Sequence, residues 1–270
     1  CWLRAMLSQW SGEERLHANV LTPVLISGKQ GLSKSTFCRL LMPDSLRHYF
    51  VDNLNLAAGS SPEKKLVKNG LINLDEFDKI KESQQATLKN LLQMVNVPVF
   101  RGKRLGWVNE SRLASFIATT NVYQVLIDST GSRRFLCVEV LKPISEEPLE
   151  HKQIYAQLKE ELKSGAPDYL NKEEEKALQK HNKAYYRQSL LEDVFHCCFR
   201  HPLETEKGIW LTTAEIFQVM RKFNSAALKE VSARQLGLKL SAMGYMAKHT
   251  SFGNRYYVFN LLAEKKEVSL

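Results

Sequence analysis

No stretch of this 270-residue chain is apolar for long enough to span a bilayer, and none of it reads as a signal peptide. An integral-membrane or secreted protein is thereby disfavoured, and a cytoplasmic location is the expectation. Cysteine is scarce as well. Five residues, an odd number without framework spacing, exclude a disulfide-stapled fold and fit a reducing compartment. The one grouping with metal-ligand chemistry is His196-Cys197-Cys198 with His201. Adjacent cysteines chelate poorly, and Leu190, Leu191, Val194, Phe195, Cys198 and Phe199 continue a helical apolar pattern, so a buried helix is expected there. Internal repeats and low-complexity linkers are also missing. Acidic residues are the minority charge: 38 Lys and Arg face 29 Asp and Glu, a net charge of +9. That balance points to a polyanionic partner, with nucleic acid first and an anionic membrane second. The sequence opens at Cys1 within a helical pattern and without an initiator Met, so it is expected to be a fragment of something longer.

The apolar run Val24-Leu25-Ile26 leads into Ser27-Gly28-Lys29-Gln30-Gly31-Leu32-Ser33-Lys34-Ser35-Thr36, and a helical pattern follows. Strand, glycine-rich loop, helix is the layout of a phosphate-binding P-loop. Backbone N–H groups turn inward around an anion, and the helix N-terminus adds its dipole. The segment Gly28–Thr36 is the expected nucleotide-binding loop, with Lys34 on the β- and γ-phosphates and the Ser35 hydroxyl on Mg²⁺. Ser33 stands where the pattern has glycine, and a serine adopts the needed backbone at some cost.

Three further segments sit at strand ends. Leu71-Ile72-Asn73-Leu74 closes on Asp75 and Glu76, the first placed to hold Mg²⁺ and the second to polarise a water. Phe116-Ile117-Ala118-Thr119-Thr120 ends at Asn121, a candidate to orient the water or sense the γ-phosphate. Gly131-Ser132-Arg133-Arg134-Phe135 precedes the strand Leu136–Val140, and its two guanidiniums suit the nucleotide site of a neighbouring subunit. Strands alternating with helices imply an α/β fold, with a mainly parallel sheet covered by helices and its ligands at the carboxyl ends of the strands.

Between Leu71–Leu74 and Phe116–Thr120, the runs Val97–Phe100 and Leu105–Val108 flank a turn carrying Arg101, Lys103 and Arg104. This reads as a basic-tipped hairpin, either a DNA-contacting finger or a solvated end. Beyond Pro143 come helical patterns ending near Gly165 and, after the cap Asn171, running towards Tyr186. The last third has two capped helices, opened by Thr212-Thr213-Ala214-Glu215 and Ser232-Ala233-Arg234-Gln235, then a turn and the strand Arg255–Phe259. That is a winged-helix order. Eight Lys and Arg lie against four Asp and Glu over residues 203–262, with Arg234 and Lys239 on the second helix and Lys248, His249 and Arg255 beside the wing. The unit reads DNA or docks a protein. The expected divisions are a P-loop core at 1–142, a helical linker or lid at 143–202 and a winged-helix-like domain at 203–270.

Together Gly28–Thr36, Leu71–Phe77, Phe116–Asn121 and Gly131–Phe135 resemble the virulence-associated protein E family. These are P-loop proteins of phages and mobile elements, related to superfamily-3 helicases and primase-associated ATPases. The resemblance is strongest to Bacteroides-type versions with a C-terminal domain of unassigned function. It implies an AAA+-like core, ATP and Mg²⁺ as cofactors, a homo-oligomeric ring, single-stranded DNA as partner, and a primase-type domain or protein upstream. A motor or helicase-like ATPase is the main expectation. A nucleotide-gated DNA switch without unwinding, or a P-loop scaffold acting through protein contacts, are the alternatives.

Overall fold

The computed structural model describes residues 1–12, 17–57, 59–127, 132–187, 190–229, 231–251 and 253–263. Gly131, read from the sequence above, lies outside them, as do Leu16 and Phe252. Within the described residues the chain forms two compact units, Cys1–Arg187 and Gln188–Leu270.

The first unit opens with α1 (Trp2–Trp10), in the helical pattern at the start of the sequence. Then follow β1 (Thr22–Ile26), α2 (Lys34–Leu40), β2 (Phe50–Asp52), α3 (Glu63–Lys68), β3 (Leu71–Leu74) and α4 (Glu82–Gln93). The hairpin β4 (Asn96–Phe100) and β5 (Trp107–Ser111) leads to β6 (Ser115–Thr120), β7 (Phe135–Glu139), α5 (His151–Lys163) and α6 (Lys172–His181). Five strands make a parallel sheet in the order β2-β3-β6-β1-β7, as the alternating pattern predicts. Alternate residues feed opposite faces, because strand side chains have a period of two. Val24, Ile26, Ile72, Leu74, Phe116 and Ala118 pack with α4 residues Leu88, Leu91 and Leu92 on one face. Leu25, Leu71 and Ile117 pack with Met6, Cys38 and Leu178 on the other.

Residues 143–202 do not form a lid or linker of their own. Leu178 and Tyr155 bury against the second face of the sheet, and Asn182 donates to the Phe135 carbonyl at 2.7 Å, so α5, α6 and their connections belong to the first unit. Pro143 marks the end of the sheet and not the end of the domain.

Arg112, between β5 and β6, is buried. Its guanidinium donates to the carbonyls of Leu91 and Leu92 near the C-terminus of α4, of Ala114, and of Asn19 ahead of β1. Helix-end carbonyls carry partial negative charge, which suits a cation there.

The second unit comprises α7 (Leu190–Cys198), β8 (Phe199–Arg200), β9 (Ile209–Thr212), α8 (Thr213–Phe223), α9 (Ala233–Ala242), β10 (Ala247–Thr250) and β11 (Gly253–Asn260). Antiparallel β11 lies between β9 and β10 and continues onto β8. Capping boxes open both helices: Thr212 with Glu215, and Ser232 with Gln235. Tyr256 and Val258 face a core with Phe195, Cys198, Ile216 and Leu240. Cys198 is therefore packed in α7, and no metal-ligand cluster occurs among the described residues.

Candidate nucleotide site and basic surfaces

The carboxyl ends of β1, β3 and β6 converge, because the strands are parallel neighbours. The loop leaving β1 reaches α2 through Ser33, which holds the left-handed backbone at φ 57°. A non-glycine residue there costs about 1–2 kcal/mol. Its side chain recovers part of that cost, since Ser33 Oγ donates to Glu146 Oε1 at 2.6 Å. Ile144 N–H also bonds the Leu32 carbonyl at 3.2 Å, tying the segment after β7 to the loop.

Lys34 begins α2 and is 8% exposed. Its ammonium donates to Ser27 Oγ at 2.5 Å and to Asn121 Oδ1 at 2.8 Å, both neutral oxygens. Burial pulls its pKa below the ordinary lysine value, with the nearby Asp75 carboxylate working the other way. Ser35 Oγ donates to Asp75 Oδ1 at 3.1 Å, and Thr119 Oγ1 donates to the same oxygen. A hydroxyl beside a carboxylate is the hard oxygen pair that suits Mg²⁺. The structure thus places two hydrogen-bonded groups side by side, Lys34 with Ser27 and Asn121, and Ser35 with Asp75 and Thr119.

Glu76 is placed differently. It has a left-handed backbone at φ 53°, and its exposed carboxylate is ion-paired to Lys79 at 2.6 Å. Arg133 and Arg134 precede β7 at its amino end. Thr22 pairs with Phe135 and Ile26 with Glu139, so these arginines sit about 20 Å along the strands from the loop of their own chain. Arg133 pairs with Glu175 at 3.4 Å, and Arg134 is half-buried.

Several participants leave no signal in the sequence taken alone. The Tyr123 ring lies against Gly28, where an added Cβ would stand 2.9 Å from Cε2, so any side chain there would have to push the ring aside. Its hydroxyl donates to Glu139 at 2.9 Å, carrying the side chain across the end of β1. Thr120 Oγ1 donates to Asp78 Oδ1 at 2.6 Å. A Thr-Thr pair before Asn121 was the only available hint of the last contact.

The cations expected on nucleic-acid surfaces fall into two groups. Lys103 and Arg104 are exposed on the β4–β5 turn, beside the paired rings of Phe100 and Trp107, whose centroids are 5.6 Å apart. Arg234 is exposed at the start of α9, and Lys248 and Arg255 lie on the sheet of the second unit. Others are engaged. Arg101 makes two contacts of 2.5 Å to Glu110, and Lys239 pairs with Glu192 at 2.8 Å.

No helix among the described residues is long and apolar enough to cross a membrane. No curated protein matches the sequence. Among solved structures, two apo forms of the NrS-1 C terminal region (305-718) align over 96% of this chain and 69% of theirs. They share 13% and 14% identity, at TM-scores of 0.41 and 0.42. Residues 188–258 match the model of a domain of unknown function described from a B. Theta gene. Residues 19–187 match the virulence-associated protein E-like domain, a span that holds every strand-end motif described above. On that match over most of its length, the chain belongs to the virulence-associated protein E-like family.

Proposed function

We propose that the first unit binds ATP with Mg²⁺ and hydrolyses it in a DNA-linked cycle of the kind used in phage or mobile-element replication. One observation carries this reading: Lys34 is a buried cation whose hydrogen-bond acceptors are neutral oxygens. Its one nearby counter-charge, Asp75, is hydrogen-bonded to Ser35 and Thr119 rather than to the ammonium. A buried charge held only by neutral oxygens is costly, and a phosphate at the loop would supply a direct partner. Ser35 and Asp75 would hold Mg²⁺, which neutralises developing phosphate charge. Glu76 is the candidate base for the water and Asn121 its orienter.

The distance between the arginines and the loop of the same chain supports a role in trans. In a ring, Arg133 or Arg134 reaches the site of the adjacent subunit, a heterologous contact that closes on itself. Lys103 and Arg104 on the hairpin supply cations for single-stranded DNA, with Phe100 and Trp107 as stacking partners. The second unit follows a winged-helix order and adds a further DNA contact. A primase-type domain or protein is the partner that the family resemblance brings, and the cytoplasm is the location.

The Glu76–Lys79 ion pair favours a second reading, a nucleotide-gated DNA switch with little turnover. Phosphate release measured with and without single-stranded DNA separates the two. DNA-stimulated turnover supports the motor. ATP binding without turnover supports the switch, and no ATP binding at all leaves only a scaffold.

A further inference from the structure

The sheet of the second unit has two faces of different character. One packs on α8 and α9 through Tyr256 and Val258. Along β11 the other face carries Arg255, Tyr257 and Phe259. Register places Trp210 of β9 beside Tyr257, Lys248 of β10 beside Arg255, and Arg200 of β8 beside Phe259. Met246 lies just ahead of β10 and is 64% exposed. Rings and cations therefore alternate across one surface.

The rings are held in place. Trp210 and Tyr257 have centroids 5.1 Å apart, and the Tyr257 hydroxyl accepts the Gly208 N–H at 2.9 Å. An added Cβ on Gly208 would stand 2.8 Å from the Tyr257 ring, so this loop closes on that ring without a side chain. The Lys248 ammonium lies 4.5 Å from the Trp210 ring centroid. That position is where a base would stack, and a base arriving there displaces the ammonium towards its own phosphate.

The charge balance selects the ligand. Arg200 is matched by Glu206 in two contacts of 2.5 and 2.6 Å. Lys248 and Arg255 enter no ion pair among the described residues. On α9, by contrast, Lys239 is taken by Glu192 and Leu238 is exposed, which leaves Arg234 as the exposed cation there. A row of fixed rings bordered by unpaired cations fits an extended polyanion with planar groups better than it fits a duplex groove or a protein core.

We propose that the outer face of the β9–β11–β10 sheet binds single-stranded nucleic acid, with bases stacking at Trp210 and phosphates on Lys248 and Arg255. This extends the DNA reading above to a second surface and does not depend on the nucleotide site, so a chain without ATP turnover would still bind here.

The test uses the full chain and two labelled strands of equal length, oligothymidylate and its abasic counterpart, without ATP. The parent should prefer the strand with bases. Trp210→Ala should weaken oligothymidylate binding about five-fold or more and leave the abasic strand unchanged. Trp210→Phe keeps a ring and should retain the preference, which guards against a folding defect. Lys248→Glu should weaken both strands and flatten the salt dependence. Photocrosslinking from 5-iodouracil strands should map to Trp210 or Tyr257. Crosslinks confined to residues 100–107 or to α9, together with parental affinity in Trp210→Ala, would overturn the proposal. So would a Trp210→Ala variant that changes self-association in sedimentation while binding the oligomer like the parent, since the face would then be a protein interface.

Discussion

Replacing Lys34 by methionine should separate the stability of the empty site from its affinity for nucleotide. Methionine keeps an unbranched chain of similar length and removes the buried ammonium. Two hydrogen bonds are lost; Asn121 is exposed, so water can reach its Oδ1, and Ser27 Oγ keeps its own donation to the Lys29 carbonyl at 2.6 Å. The desolvation cost of the charge disappears with it. These opposing terms are each of order 1–3 kcal/mol, so the empty variant should melt within a few degrees of the parent. Nucleotide affinity should fall steeply, because the phosphates lose the one buried cation of the loop. At Mg–ATP about 100-fold above its dissociation constant, the parent gains about 2.7 kcal/mol. For a unit spanning Cys1–Arg187 that corresponds to about 5–10 °C in melting temperature. Thermal melts with and without Mg–ATP read both quantities, with calorimetry for affinity. The lowered lysine pKa adds a signature. The unfolded chain binds the proton more tightly, so the empty parent gains stability as pH rises from the lowered pKa towards 10.5, and Lys34→Met lacks that rise. A variant that ATP stabilises as much as the parent would refute the assignment of Lys34 to phosphate.

Three other perturbations have definite outcomes. Glu76→Gln should bind ATP but hydrolyse it about 10²–10⁴-fold more slowly, and Lys79→Ala, by freeing Glu76, should raise DNA-independent turnover; phosphate release measures both, and unchanged rates would remove Glu76 from the chemistry. Lys34→Ala subunits mixed with Arg133→Ala/Arg134→Ala subunits should regain some turnover, because a mixed interface holds one intact composite site. Turnover proportional to concentration, with no rescue in verified mixed oligomers, would place the whole site in one chain. Glu206 has its pKa lowered to about 2, first by Arg200 and then by the Leu203 N–H. Its contribution is present above the usual carboxylate range and lost as pH falls towards 2, so amide exchange near residues 201–208 should accelerate over that window, and Glu206→Gln should show no such step.

The strand-end motifs were legible because each couples a short apolar run to a polar residue whose position follows from the parallel sheet. Lys34, Ser35, Asp75 and Asn121 meet because their strands are neighbours, and their residue types foretell the partnership. Contacts across long separations were not legible. Glu146 follows Ser33 by 113 residues and sits in a charged stretch with no pattern of its own. Arg101 and Lys239 read as free cations, since their pairing with Glu110 and Glu192 depends on hairpin register and helix packing. The boundary near 187 was missed because Leu178 belongs to a helix rich in charge, where one buried residue carries the attachment.

Arg112 gives the hairpin a mechanical character. Its guanidinium joins the last carbonyls of α4, the start of β6 and the segment before β1, while its backbone N–H bonds Val95 at the root of β4. Those carbonyls cannot shift separately without abandoning bonds to a buried cation, so the root behaves as a clamped fulcrum and the exposed turn as the free end of a lever. A pull on the tip is therefore delivered to the sheet through this guanidinium together with the buried Val97 and Val99 of β4, and stiffness at the root sets how much of the pull is transmitted and how much is lost in bending.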